Sequence, residues 1–381
     1  VSLFPDDDAW VRADPRFGPV RREPRAISSL VGWILLIGAV AGTVVLGTLP
    51  APYVKERPGP VYDTIGEIDI EGEPTPIIQI EGEKTYPTEG DLDMLTVVLE
   101  GSPQSPLTWI DIALAWFDPT RAIIPLEAVY PPGTTDEDED AQSAAAMASS
   151  QQEAVAAALG ELGIGYTSIV TVGAVLDGFP ADGVLEQGDQ LLTVDGDGID
   201  GVTELSAALA EAGAGVEVSL GIVRDGEEQT VQIAPVASTE NPDGVVIGIQ
   251  TAATYDFPFD VTVNLGSVGG PSAGMMLALG TYDKLTPGAL TDGERIAGTG
   301  TITADGEVGA IGGIRQKMYG ADDAGAEWFL APASNCDEVV GHIPGGLEVF
   351  AVGTLDEALE VVQTIASGAD TSSLARCAAD D

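Results

Sequence analysis

Histidine and cysteine are nearly missing from this chain, and their scarcity removes several chemistries at once. One histidine, His342, and two cysteines, Cys336 and Cys377, are spread over 381 residues. A zinc site of His/Cys type needs three or four ligands at short spacing. No such cluster exists, so no metal is expected. A Ser-His-Asp triad would have to use His342, which sits in the turn-like run His342-Ile343-Pro344-Gly345-Gly346. Positive charge is scarce too: 15 Lys+Arg face 61 Asp+Glu, a net of −46. Phosphate backbones are held by clustered Lys and Arg, so nucleic acid is excluded as a partner. Such acidity suits a surface bathed in concentrated salt, which screens its self-repulsion, and it reads as a halophilic habitat signal more than a substrate preference. No Gly-x4-Gly-Lys-Ser/Thr phosphate loop occurs in the chain, and no nucleotide or other cofactor is expected.

Apolar residues are plentiful, at 44%, so a packed core is expected, in more than one domain for this length. One stretch stands apart. Residues 26–49 carry no charge, and at ~1.5 Å per residue they are long enough for a ~30 Å hydrocarbon layer. A cleaved signal peptide would have a shorter apolar region ending in small residues; this one runs into Leu49-Pro50-Ala51-Pro52, which favours a membrane anchor. The preceding tail, 1–25, holds Arg12, Arg16, Arg21, Arg22 and Arg25, whereas only Lys55 and Arg57 follow closely. The positive-inside rule then puts the tail in the cytoplasm and the rest outside the cell membrane. Five acids in the tail cancel its five arginines, so the whole −46 belongs downstream. Outside is where disulfides persist, so Cys336 and Cys377 are candidates for a bridge, with two free thiols as the alternative.

Residues 50–63 are rich in proline and read as a stiff stalk. Alternation over 65–100 predicts strands separated by Gly turns, and the spacing of large apolar residues over 107–117 predicts a helix. Asp136–Asp140 reads as a solvated acidic loop. The Ala-rich run 143–163 predicts a helix closed by Gly160 or Gly163. From 164 to 237 short β-like runs surround one helix, Arg224-Asp225-Gly226-Glu227 has hairpin chemistry, and Asn241-Pro242-Asp243-Gly244 marks the exit. From 245 on, strands and helices alternate.

Two places carry chemistry. In Gly269-Gly270-Pro271-Ser272-Ala273-Gly274, Pro271 suits the first position of a following helix. Ser272 would then lie in the first turn among unpaired N–H groups, the raw material of an oxyanion hole. A Gly-rich turn with a capping serine is the plainer alternative. In Gly312-Gly313-Ile314-Arg315-Gln316-Lys317, the lysine is one of only four, with Lys55, Lys84 and Lys284. A serine needs a base, and a lysine serves if burial keeps it neutral. No acid occurs between Glu307 and Asp322, so no local carboxylate would hold the proton on Lys317. Lys284 is a weaker candidate because Asp283 adjoins it.

These segments, from Asn264 to Leu279 and from Ala297 to Pro332, resemble the proteolytic domain of the Lon family: a G-P-S-A-G motif, a T-G-x-I strand and a G-x-V-x-x-I-G-G-I-x-x-K motif, in order. The resemblance implies a Ser-Lys dyad of Ser272 and Lys317, with Thr299 orienting the lysine and Gly270, Pro271, Ala273 and Gly274 shaping the nucleophile loop. Where many Lon enzymes have an acid three residues before the serine, this chain has Gly269, so no acidic helper is assigned there. Residues 178–196 resemble the PDZ pattern. Together these features resemble membrane-anchored, PDZ-containing Lon-like proteases. The implied fold is α+β: a cytoplasmic tail (1–25), a transmembrane helix (26–49), a stalk (50–63), the N-terminal part of a protease domain (64–163), an inserted PDZ domain (164–237), the catalytic part (245–368) and a tail (369–381). The implied function is ATP-independent cleavage of unfolded or flexible proteins outside the cytoplasm. The PDZ unit would dock peptide segments by strand addition, with Val170–Val175 bordering its groove. A homo-oligomeric ring is implied by family analogy alone. The alternative is an inactive, membrane-tethered PDZ scaffold.

Overall fold

The computed structural model describes residues 26–70, 72–199, 201–238 and 244–377, with side chains from residue 30 onward. The tail 1–25, the last residues of the tail 369–381, and Asn241, Pro242 and Asp243 of the expected exit lie outside the described residues.

The uncharged stretch forms helix α1 (Ala26–Leu46), 21 residues long. It has no polar face to turn toward water, and its side chains stay exposed, Trp33 at 64% and Leu35 at 68%. Counted over the described side chains, which begin at Leu30, no helix is long and apolar enough to cross a membrane.

The expected stalk is instead strand β1 (Tyr53–Asp63). Prolines argue against a central strand because they cannot donate to a ladder. Here β6 (Ala122–Pro125) pairs only with Tyr53–Glu56, leaving the later edge free where Pro58 and Pro60 lie. On the other side the register against β5 (Asp91–Glu100) slips between Pro58 and Val61. The prolines thus occupy a bulge and an open edge. Between β1 and β5, β2 (Glu67–Ile70) and β3 (Glu73–Pro76) form a hairpin, and β4 (Ile78–Glu81) pairs elsewhere.

Next come α2 (Trp109–Ala115), closed by a Thr108/Asp111 capping box, the short α3 (Leu126–Val129) and α4 (Asp136–Glu161). The acid run is therefore no loop. Asp136–Glu139 form the first turn of α4, capped by Thr135, where the helix dipole favours negative charge.

The chain then builds a separate sheet: β7 (Thr167–Val175), β8 (Gln190–Val194), β9 (Asp197–Gly198), β10 (Val218–Arg224) and β11 (Glu227–Ile233), with helix α5 (Val202–Ala212). Asp225 and Gly226 take φ of 53° and 81°, the left-handed pair that a two-residue hairpin needs. After β12 (Val236–Ala237) and β13 (Val245–Val246), β14 (Ile249–Asp256) joins this sheet, whose order is β11-β10-β8-β7-β14. The inserted unit therefore extends past 237. Its core includes Val172, Leu191, Leu205, Leu220 and Ile222.

The chain returns through β15 (Asp260–Val263), which pairs with β4, and continues with α6 (Gly274–Leu285), β16 (Arg295–Gly298), β17 (Thr301–Ile302), β18 (Val308–Gly309), α7 (Ile314–Asp323), β19 (Trp328–Pro332), α8 (Cys336–Val339), β20 (Glu348–Val352) and α9 (Leu355–Ala366). The main sheet has the order β20-β19-β16-β5-β1-β6; β5, β16, β19 and β20 run parallel and β1 is antiparallel. Successive strand residues face opposite ways, so Ile296, Leu330 and Phe350 pack with α6 and α9, while Ala297, Phe329 and Val349 pack with α7. The sheet is thus sandwiched between helical layers. Cys336 and Cys377 are bridged, which ties the C-terminal segment down beside Ala351, whose N–H donates to Ala375 O at 3.0 Å.

One buried acid has no cation on it. Asp283 of α6 is fully buried; its Oδ1 accepts from Leu290 N at 2.8 Å, and its Oδ2 has no hydrogen bond among the described residues. Burial pushes its carboxyl up to about 6 from 3.8, against a smaller opposing pull from Lys284. The unfolded chain ionises this group first, so a penalty on the folded state develops as pH rises from about 4 to 6 and stays constant above. Asp283→Asn keeps the acceptor for Leu290, so it should stabilise the protein by about 2 kcal/mol at pH 7.5. Urea unfolding should show most of that gain lost at pH 4.

Candidate active site

The nucleophile loop and the base arrive from opposite sides of the main sheet. Ser272 precedes α6 on one face, Lys317 lies on α7 on the other, and Thr299 directly follows β16 at its carboxyl end. The carboxyl ends of parallel strands are where α/β sheets commonly place their sites. Lys317 Nζ donates to Ser272 Oγ at 2.6 Å and to Thr299 Oγ1 at 3.0 Å. Thr299 Oγ1 in turn donates to Ser272 O at 2.9 Å. Gly300 N donates to the same carbonyl at 3.0 Å. The three side chains therefore form a closed set around one amine.

The helix start differs from expectation. α6 begins at Gly274 with Ala273 as its cap, so Pro271 is not its first residue and Ser272 lies just outside it. The loop is held by other contacts: Gly270 N donates to Ser143 O at 2.9 Å and Ser150 Oγ to Pro271 O at 2.8 Å. Both serines belong to α4, which runs alongside. A side chain at Gly274 would meet Ser150 Oγ at 2.7 Å and Ile302 Cγ2 at 2.9 Å, so glycine sets this close approach. Gly270 has φ of 81°, a region that suits glycine. Gly269, where an acidic helper was not assigned, packs closely on Ser143: a Cβ there would meet Ser143 Oγ and lie 3.1 Å from Ser143 Cβ. The N–H groups of Ser272 and Ala273 make no hydrogen bond among the described residues.

Lys317 is 2% exposed and Thr299 fully buried. Burial pulls the Lys317 amine down to about 8 from 10.5. One opposing influence comes from Glu56 of β1, which the local acid-free stretch around Lys317 did not reveal. Glu56 is 5% exposed and packs so closely on Gly313, the left-handed cap of α7, that a Cβ there would overlap its carboxylate. Its own carboxyl is raised by burial and drawn back by Lys317. Lys284 is elsewhere: its Nζ donates to Ile65 O at 3.0 Å, so it is no base for Ser272. His342 is exposed and its Nδ1 lies 3.1 Å from Val340 O. Among the described residues no group of His, Cys, Asp and Glu could hold a metal ion.

The inserted unit contributes a groove. Strand β7 lies between β8 and β14, so Val170–Val175 are not an edge strand; the edges of this sheet are β11 and β14, and β14 is the one beside α5. Between β13, β14 and α5 lies a cavity of about 280 Å3, lined by Phe179, Leu205, Leu209, Ile247 and Ile249 among others. Val202 and Thr251 line both this cavity and one of about 530 Å3 that reaches Ser149 and Glu153 of α4.

Comparison with known proteins identifies two domain types in the chain. Residues 246–364 match the Lon protease (S16) C-terminal proteolytic domain, and residues 148–234 match the PDZ domain. The chain carries a Lon-type serine-protease domain and a PDZ domain. Lon protease 1 of Sorangium cellulosum is 41% identical over 93 residues, 24% of this chain and 11% of that protein. Lon protease 2 of Bacillus subtilis is 28% identical over 123 residues, 32% of this chain and 22% of that protein. The chain thus spans about a tenth to a fifth of the length of these curated relatives. Among solved structures, the PDZ domain of an SdrC-like protein from Listeria monocytogenes matches at 23% identity, covering 22% of this chain and 85% of that one with a TM-score of 0.20.

Holding an amine in the Lon domain's interior carries a stability cost. Because the folded state depresses Lys317 from 10.5 to about 8, the unfolded chain binds the extra proton between those values, and stability rises with pH across that window. Lys317→Met removes the charge while keeping most of the stem. It should stabilise the protein by about 1–2 kcal/mol at pH 7, even after losing two hydrogen bonds. Chemical denaturation of both forms should find the advantage shrinking toward pH 10.

Proposed function

We propose that the protein is an ATP-independent serine endopeptidase with a Ser272–Lys317 dyad. The observation that carries this reading is the 2.6 Å contact between a half-buried hydroxyl and an almost fully buried amine whose proton affinity is lowered by burial. Neutral Lys317 takes the proton from Ser272 Oγ, and Oγ attacks a peptide carbonyl, giving a tetrahedral oxyanion. The unengaged N–H groups of Ser272 and Ala273 are suited to receive that charge. Lys317 then protonates the departing amine and the acyl-enzyme forms. Water, deprotonated by the same lysine, releases the second product. Thr299 holds the amine in line from the other side, so it acts as a positioning residue.

The substrates in this reading are unfolded or flexible polypeptides, because the chain contains no nucleotide-binding loop to drive unfolding. The PDZ domain docks an extended segment against the free edge of β14, with apolar side chains in the cavity under α5. The adjoining cavity, sharing Val202 and Thr251, gives that segment a route toward α4 and the nucleophile loop. The uncharged α1 anchors the chain in a membrane, with the arginine-bearing tail in the cytoplasm and both domains outside. The acidic surface then faces a salty exterior.

The test is cleavage of an unfolded protein such as casein by the purified chain. Activity should be the same with and without ATP. Ser272→Ala and Lys317→Met should lower it by at least about 10³-fold, the scale of losing a nucleophile or its base; cleavage by either variant at the wild-type rate would remove the dyad.

The pH profile offers a second check. The rate constant kcat/KM should climb with pH through an apparent value near 8, as Lys317 loses its proton. Glu56→Gln deletes the carboxylate that favours the protonated amine, so the rise should move to lower pH. A profile that stays put, or moves up, would mean Glu56 does not act on the lysine.

A further inference from the structure

We propose that the outer part of the chain rests on the lipid surface through an aromatic foot formed by Leu114, Trp116 and Phe117 at the end of α2. The proposal rests on the membrane-anchor reading of α1. Outside α1, the large apolar side chains that are exposed reach at most 52% in every case but these three, which stand at 66%, 79% and 89%. They are consecutive or nearly so, and they cluster at one end of a short helix. Trp and other large apolar side chains placed at the water–lipid boundary are the usual means of fixing depth and tilt.

The place of this foot is fixed relative to α1. Ala51 N donates to Leu107 O at 2.7 Å and Trp109 N to Leu49 O at 3.3 Å, so the segment leaving α1 is stitched to the start of α2. Pro50 bridges Thr108 in the same way. A side chain at Gly47 would touch Ile110, so the end of α1 and α2 are in contact. Seven helical residues extend about 10 Å, so the foot lies within about that distance of the junction with α1. Lys55, Arg57 and Arg121, three of the chain's few basic residues, lie on the neighbouring β1 and beside β6. They pair with Glu100 and Asp118. Each of these bases is paired with an acid, and Asp111 of α2 adds a further carboxylate beside the foot. A bilayer interface is the occupant that the continuity with α1 favours, over a second copy of the chain.

The full chain in vesicles of phosphatidylcholine and phosphatidylglycerol, with acyl chains brominated near the headgroup or near the tail end, gives the test. The fluorescence share of one tryptophan is read as the difference between wild type and its Trp→Phe variant. Headgroup-proximal bromine should quench the share lost in Trp116→Phe, and deeper bromine the share lost in Trp33→Phe. Quenching at Trp33 with none at Trp116 would leave the anchor standing and overturn the foot. Absence of quenching at Trp33 would sink the anchor reading, and the foot with it. If Trp116 is unquenched and Trp116→Ser reduces the mass of the detergent-solubilised particle, the patch joins copies of the chain and the proposal fails.

Discussion

The structure depends on one amine being kept out of water. The proposed dyad requires Lys317 to lose a proton near neutral pH, and burial lowers its proton affinity by making the charged form expensive. Everything around it follows from that demand. The hydrophobic layers on the two faces of the main sheet make the space dry, and the carboxyl end of β16 is where they meet. Two hydroxyls, on Ser272 and Thr299, provide the only partners the amine needs. They are neutral, so they satisfy its hydrogen bonds without restoring its proton affinity.

Glu56 modifies that picture. A sequence can show that no acid lies within a few residues of Lys317, but not that a strand from the far end of the chain carries one alongside. The carboxylate sits where α7 begins, against a glycine with no side chain to exclude it. Two opposing influences therefore set the lysine: burial lowers its affinity and Glu56 partly restores it. The balance at about 8 leaves an appreciable neutral fraction close to physiological pH. Neither influence alone would place it there, which gives the acid a reason to be buried beside a cation it does not bond.

The legible and illegible parts of the fold divide along physical lines. Ser272 and Lys317 stood out as a serine in a Gly-rich loop and a lysine in an acid-free stretch, whereas Thr299 came only from the resemblance to the Lon family. Residues 50–63 were expected to be a stiff stalk because they are rich in proline; the bulge and open edge that accommodate Pro58 and Pro60 in β1 are properties of the partners, not of the segment. The acidic turn of α4 was misread for a related reason. Four acids in a row repel one another in isolation, yet at a helix start they meet a favourable dipole and a threonine cap. The start of α6 was expected at Pro271, and the helix instead begins at Gly274, because the preceding residues form a turn, Gly274 N donating to Pro271 O at 3.3 Å, that contacts from α4 pin in place.

The boundary of the PDZ domain shows how one strand can serve two purposes. β14 lies beyond the stretch that reads as the PDZ unit, yet it forms one edge of the sheet and one wall of the groove. The chain leaves β14 for β15 and then reaches the nucleophile loop with no other domain between. A segment added to the edge of β14 would therefore stiffen a strand covalently close to Ser272. Strand and loop are joined through β15, where Phe259 is buried against α4. The same α4 donates Ser143 and Ser150 to the loop itself. Helix α4 thus touches both the connection that leaves β14 and the nucleophile loop.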